Sequence, residues 1–421
     1  MKILLISHTV LSKTGNMGKT LRGYLLDFKA TDIAQFYIHS EVPTDDTVCE
    51  KYFRFTDVDA LKSVFWIGKR GTCFDKNSIR KDLKSTRIDK GAIGEIYQFG
   101  RNRTGLIYLL RNGLWKLAHW KTKKLKMWLK EISPDVILFS SGDYAFMYHI
   151  ARWMAMYLKK PLVVSCMDDY YLYNRNSGTF LGRLYQKIFM KSVKKTMTYA
   201  KSILTICDSM ALEYEKLFSK PCHILHTVAE SRELRPNPEA SQISYIGNLG
   251  YNRYKRLIEI GKALKKYEKH ITVYSSEKRE EVVSQLTEEN GIDFQGQVSS
   301  EGVLKVMENS VAVIHTESFD ERTKEMVRFS VSTKIAESLM YGPCLIAYGP
   351  EGIASIDYLK ENRAAYVITR PEDLESGLTE ILTNRELREQ IVKNARALAA
   401  KNHNAEVNPK KVRMWLEQAV Q

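Results

Sequence analysis

Short apolar runs alternate with longer segments of helical periodicity along this chain. In the first half, strands are predicted at Lys2–Ser7, Asp32–Ile38, Val136–Ser140, Leu162–Cys166 and Ser202–Ile206, with helices between them such as Ala145–Tyr157 and Leu181–Tyr199. The pattern lapses after His226 into a polar stretch, Ala229–Ser241, that carries Pro236 and Pro238 and reads as a linker. It then restarts: Ile243–Ile246, Tyr254–Tyr267, His270–Ser275, Val311–His315, Ser332–Tyr341, Cys344–Tyr348 and Ala365–Ile368, followed by a last helix at Pro409–Ala419. Strand–helix alternation implies parallel sheets covered on both faces. Two such runs predict two doubly wound α/β domains, 1–228 and 242–405, joined by a linker at 229–241 and followed by a terminal helical segment at 406–421.

The 421 residues are enough for two to three domains, and 44% apolar with 27% charged residues is ordinary for a globular chain. Ten prolines and 23 glycines exclude fibrous and low-complexity classes. The formal charge of +15 favours anionic partners without choosing among nucleic acid, phosphorylated small molecules and an acidic membrane face. Six scattered cysteines, with no CxxC and no zinc-like spacing, read as reduced thiols of a cytoplasmic protein. The run Ile3-Leu4-Leu5-Ile6 is too short for a signal-peptide core, and no uninterrupted apolar segment is long enough to span a membrane.

Ligands of open α/β sheets sit beyond the carboxyl ends of the strands, which shortens the search to a few loops. The first, Ser12–Thr20, holds Gly15 and Gly18 before a helix, a turn that lets backbone N–H groups approach a phosphate. It has neither P-loop nor GxGxxG spacing, and a plain tight turn is the alternative. The second, Gly247-Asn248-Leu249-Gly250 followed by Arg253 and Lys255, places cations at a helix start, suited to a pyrophosphate or merely solvated. In the third, Ser332-Thr333-Lys334 opens a helix that Gly342-Pro343 ends. Lys334, Glu337 and Tyr341 share one helical face. Glu337 suits a sugar diol; simple compensation of the helix dipole is the alternative.

These segments carry a resemblance. Glu317-Ser318-Phe319, Ser332-Thr333-Lys334-Ile-Ala-Glu337, Tyr341-Gly342-Pro through Gly349-Pro350, the Gly247–Arg253 loop and Gly15-Asn-Met-Gly18 together resemble, in order and placement, nucleotide-sugar glycosyltransferases of the GT-B fold. Among these the chain is most similar to the family-4 enzymes of bacterial surface-polysaccharide synthesis. The resemblance implies two Rossmann-like domains facing a central cleft, with a C-terminal helix crossing back to the N-terminal domain. It also implies transfer, with retention, of a sugar from a UDP-linked donor to a glycan or lipid-linked acceptor, without metal or other cofactor. By the same resemblance Glu337 holds the donor ribose and Arg253 and Lys334 meet the diphosphate. The resemblance also puts Gly247, Asn248, Ser332, Thr333 and Gly15 around the donor, and has Gly18 let the donor phosphates or the acceptor approach the backbone. The family's two glutamates lie eight apart. Here Glu317 is followed by twelve extra residues before Glu337, so the sugar contact falls either to Glu317 or to backbone near Ser330. Asn248 stands where most relatives have an arginine.

Other features carry less. Asp57-Val58-Asp59 resembles a metal-binding DxD but precedes Ala60-Leu61 and suits a helix cap better. Asp168 and Asp169 follow a strand and suit acceptor hydroxyls, a base or a solvated turn; Asp143 stands where the family often has a histidine and is a substitute catalytic group. The segment 113–132 combines Trp115, Trp120 and Trp128 with six lysines, as for a helix lying on an anionic membrane surface or for a packed helix with a wet lysine face. The expected enzyme is thus cytoplasmic and peripheral at the inner face of the cell membrane. The alternatives are a catalytically inactive GT-B-like subunit supporting a partner glycosyltransferase and, last, a nucleic-acid binder, for which no recognised module is present.

Overall fold

The structure, a computed structural model, describes every residue except 14–15, 66–69, 82–103, 174–177, 230–231, 233, 235–236 and 238. It divides into two compact units, Met1–His226 with Asn408–Gln421, and Thr227–Val407.

The first unit holds strands β1 (Ile3–Ser7), β2 (Ile33–Tyr37), β3 (Lys51–Arg54), β4 (Thr72–Phe74), β5 (Val136–Ser140), β6 (Leu162–Ser165), β7 (Ala200–Thr205) and β8 (Cys222–Ile224) in the order β4-β3-β2-β1-β5-β6-β7-β8. All pairs are parallel except β3–β4. Strands β1 and β5 are buried at every position, which is why they read as continuous apolar runs. The second unit holds β9 (Gln242–Ile246), β10 (Ile271–Tyr274), β11 (Ile292–Gly296), β12 (Ser310–Thr316), β13 (Cys344–Tyr348) and β14 (Tyr366–Ile368), ordered β11-β10-β9-β12-β13-β14. Alternate residues of β12 and β13 enter opposite cores. Ile314 and Ile346 pack with Leu257 and Ile260; Val313 and Leu345 pack with Ile335 and Leu339.

Strands β3, β4, β8 and β11 are not predicted from the sequence. Three of them are sheet edges, and they are short, polar or half-exposed, so the apolar signal of a buried strand is missing. In both sheets the chain runs outward from a central strand and then returns to that strand's other side. The order therefore reverses between β1 and β5 and between β9 and β12, the points at which such sheets bind ligands.

The last helix, Val407–Val420, contributes Asn408 onward to the first unit. Its Arg413 hydrogen-bonds the carboxylate and carbonyl of Asp27 and lies over the Phe28 ring at 4.2 Å, and Trp415 stacks on His223 at 4.9 Å.

The continuous amphipathic helix expected over 113–132 is corrected. Two helices, Gly105–Leu117 and Lys123–Ile132, flank a break in which Ala118 is extended and Thr122 caps the second helix by accepting from Leu125 N–H. The tryptophans do not face outward: Trp115, Trp120 and Trp128 are all buried. Trp115 stacks on Phe146 at 4.6 Å and donates to Asp57 Oδ1 at 2.6 Å, and Trp128 packs on Phe53. Of the two arrangements compatible with the sequence, the one with packed tryptophans and outward lysines is observed.

Candidate functional site

The reversal point of the second sheet brings together residues far apart in sequence. Arg253 begins the helix that follows β9, and Glu317 is the first residue after β12. Arg253 Nε and Nη2 donate to Glu317 Oε2 and Oε1 at 3.1 and 2.7 Å. The Glu317 side chain is 1% exposed, and burial raises its pKa against the opposing pull of Arg253. His315, the next-to-last residue of β12, places Nε2 3.1 Å from Ser355 Oγ and 3.7 Å from Glu317 Oε1. Burial, helped by the Arg253 charge, lowers its pKa to about 3, so the ring is neutral at pH 7. Beside this cluster Arg256 lies over the Phe319 ring at 5.6 Å, and Tyr348 donates to Glu259.

The loop after β9 is tied by its own side chains. Asn248 Oδ1 accepts from Gly250 N–H, and Tyr245 donates to Asn248 O at 2.7 Å. Gly247 N–H is bonded to Tyr274 O. The helix Thr333–Tyr341, just before β13, starts as predicted: Ser332 is the N-cap and accepts from Lys334 N–H, and Thr333 is the first helical residue. Lys334 Nζ lies 3.3 Å from Glu337 Oε2. Each predicted donor-side cation is therefore paired with a predicted donor-side carboxylate, Arg253 with Glu317 and Lys334 with Glu337. The extra residues between the two glutamates form a short helix, Glu321–Val327, capped by Asp320; Arg328 O just beyond it accepts from Ala354 N–H at the start of helix Ala354–Glu361.

In the first unit, Gly15 lies outside the described residues. Gly18 has a structural reason to be glycine: a Cβ there would stand 2.4 Å from Val10 O and 3.0 Å from Ser12 N. Across the reversal between β1 and β5, the His8 ring stacks on Tyr144 at 5.2 Å, and the Arg111 guanidinium covers the same tyrosine at 4.1 Å. Asp143 is held by hydroxyls. Tyr108 donates to its Oδ2, and Tyr185 donates to its backbone oxygen at 2.6 Å. The two aspartates after β6 differ. Asp168 is half-buried, whereas Asp169 is buried, with a carboxylate that accepts from the backbone of Tyr171, Leu172 and Tyr173 and from the Tyr214 hydroxyl. That pattern orders the loop. Asp57 and Asp59 do not form a cation site with each other: Asp59 completes a capping box with Thr56, and Asp57 receives Arg111 and Trp115.

His8, Tyr144, Arg111 and His315 were not singled out in the sequence. The available signal was positional, because His8 directly follows β1 and His315 lies at the carboxyl end of β12, both beside a reversal point.

Residues 253–411 match the family described as Glycosyl transferase-like. No curated protein matches the sequence significantly. The whole chain superposes on solved structures at low identity. HepE of Anabaena in complex with UDP has a TM-score of 0.63 at 11% identity, with 99% of this chain and 100% of that chain covered. The E. coli trehalose-6-phosphate structure bound with UDP-2-fluoro glucose has a TM-score of 0.62 at 12% identity, covering 100% and 99%. TarM has a TM-score of 0.62 at 11% identity, covering 99% and 98%. The chain has the GT-B fold, and its resemblance is to GT-B nucleotide-sugar glycosyltransferases.

Proposed function

We propose that this protein transfers a sugar from a UDP-linked donor to a glycan or lipid-linked acceptor in surface polysaccharide synthesis, with retention at the anomeric carbon and without a metal ion. The observation that carries the reading is the assembly, at the reversal point of the second sheet, of Arg253, Glu317 and neutral His315, in a chain whose structural neighbours include complexes with UDP and UDP-glucose. Glu337 would accept the donor ribose hydroxyls. Lys334 and the start of its helix would meet charge that grows on the departing diphosphate. In the transfer, the bond from the anomeric carbon to phosphate oxygen breaks while the acceptor oxygen bonds to the same face of that carbon. The acceptor proton passes to the released phosphate oxygen, so no protein base is required. In the first unit, Asp168 and Asp143 are the acceptor-side groups, and Asp169 serves the loop instead. The setting would be the cytoplasmic side of a membrane.

A second reading has a specific observation in its favour. Arg253 is neutralised by buried Glu317, and Asn248 adds no charge at the diphosphate position, as suits a GT-B-like subunit that binds nucleotide and supports a partner enzyme. Incubating the purified protein with a panel of nucleotide sugars and measuring release of free nucleotide separates the two. Release from a UDP-sugar supports transfer. Saturable UDP binding without release, alone or with an acceptor extract, supports the supporting subunit.

A further inference from the structure

Helices Gly105–Leu117 and Phe180–Met197 run side by side in the same direction. They touch at their first turns, where a Cβ on Gly105 would lie 2.3 Å from Gly182 N, and again where Tyr108 stacks on Tyr185 at 4.7 Å. Farther along, a cavity of about 540 Å³ opens between them, floored by the first turns of helix Ala145–Leu158. Its walls are apolar: Trp115, Trp120, Phe146, Ile150 and Ile188. Its polar lining holds Lys116, Lys121, Arg152, Lys191 and Lys195 together with Asn112, Ser192 and two histidines, and among the described residues no aspartate or glutamate lines it.

These charges lack local compensation. Arg152 is buried, yet its partners are neutral: Nη1 meets Thr196 Oγ1 and Nη2 meets His149 Nδ1, both at 3.2 Å. Among the described residues no carboxylate pairs with Arg152, Lys116, Lys121, Lys191 or Lys195. Lys121 lies over the rings of both Trp120 and Trp153 at 5.3 Å. The His149 pKa falls to about 4 through burial and the neighbouring charges of Arg152, Lys121 and Lys195, so this wall gains no further charge at neutral pH. An apolar cavity ringed by solvent-exposed lysines, with buried Arg152 in its wall, suits a ligand that is both apolar and anionic.

The surroundings choose the source. Leu106, Leu110 and Leu117 stand exposed on one helix and Phe180, Leu181 and Leu184 on the other. Lys187 and Lys194 extend the basic surface along an adjoining shallow hollow. A free nucleotide or nucleic acid has no use for the apolar walls of the cavity itself, whereas the acyl chain of a lipid does. We propose that this groove seats one anionic lipid, its acidic head on the lysine and arginine rim and the first part of its chain against the tryptophan and isoleucine walls. The site lies wholly within the first unit and its test reads binding, so it stands independently of the sugar-transfer reading.

The test uses the full chain, with vesicles of phosphatidylcholine alone and of phosphatidylcholine mixed with phosphatidylglycerol, and with dodecyl phosphate as a soluble probe followed by tryptophan fluorescence. Expected are co-sedimentation with the mixed vesicles only, saturable fluorescence change with dodecyl phosphate, and competition between the two. The double charge reversal K191E/K195E should weaken both interactions roughly tenfold or more. The groove-filling I188W should weaken both as well, while circular dichroism shows each variant folded. Equal binding to neutral and mixed vesicles overturns the proposal. So does inorganic phosphate competing as well as dodecyl phosphate. Vesicle binding that K191E/K195E abolishes and I188W leaves intact also overturns it, by showing a basic surface without a lipid seat.

Discussion

Arg253 and Glu317 meet as a two-pronged ion pair across the point where the second sheet reverses its strand order, with the glutamate 1% exposed. Arg253 begins the helix after β9 and Glu317 directly follows β12, so the pair ties together the segments leaving two neighbouring strands, at the position where such sheets bind ligands. Removing one member leaves a buried charge without its partner. Arg253→Ala should destabilise the C-terminal unit by about 3 kcal/mol. Burial raises the Glu317 pKa, and uptake of a proton limits the loss. Urea denaturation of Arg253→Ala, Glu317→Ala and the double variant measures this. Single variants as stable as the parent, with purely additive effects, would show that the pair contributes nothing.

Glu337 lies one turn into a helix whose N-cap is Ser332 and, in the proposed function, accepts the donor ribose hydroxyls. Glu337→Ala should lower UDP affinity by about 1–3 kcal/mol, the range for a charged hydrogen bond. Calorimetric titration with UDP checks it. Unchanged affinity in a folded variant would remove Glu337 from the donor site.

Lys334 should act on developing charge more than on ground-state binding. In Lys334→Ala, kcat for the preferred UDP-sugar should fall further than nucleotide affinity, because the charge it meets grows in the transition state. Turnover should persist in EDTA. Full kcat in the variant contradicts the role of the lysine, and complete loss of activity in EDTA contradicts a metal-free mechanism.

Two buried histidines of the second unit give stability a pH dependence. Burial lowers the His315 pKa to about 3 and the His403 pKa to about 4. His403 is held neutral between Thr227 O and the Tyr358 hydroxyl. Both pKa values rise on unfolding, so the unfolded chain binds the extra protons. The stabilisation is complete above the unfolded value near 6.5 and declines as the pH falls towards the folded values. Between roughly pH 6 and 5, each histidine should approach a loss of about 1.4 kcal/mol per pH unit. Equilibrium unfolding at a series of pH values tests this; a flat profile there, or one that His403→Gln leaves unaltered, contradicts it.

The packed tryptophans make a contrast within one stretch of sequence. Trp115→Ala should cost about 3–5 kcal/mol, since it empties a buried ring position and leaves Asp57 without its indole donor. Replacing the exposed Lys123 and Lys130 by glutamine should change stability by less than about 0.5 kcal/mol. Denaturation midpoints decide, and a stable Trp115→Ala protein would point back to an outward-facing ring.

The alternation of apolar runs with amphipathic segments was enough to define two doubly wound sheets, because a strand buried on both faces leaves an unbroken apolar signature, as in Ile3–Ser7 and Cys344–Tyr348. It was also enough to put Lys334 and Glu337 side by side, since three residues along a helix is a local distance. Edge strands such as Cys222–Ile224 left no such mark, being half-exposed. The pairing of Arg253 with Glu317, 64 residues away, was beyond the sequence, because it depends on β12 returning to lie beside β9. The same limit held for residues 113–132. The sequence put tryptophan and lysine on one amphipathic stretch, but only packing against Phe53, Phe146 and Trp153 decided that the rings turn inward and the lysines outward. Local periodicity determines which residues share a face. What that face meets is determined by elements that sequence distance does not reveal.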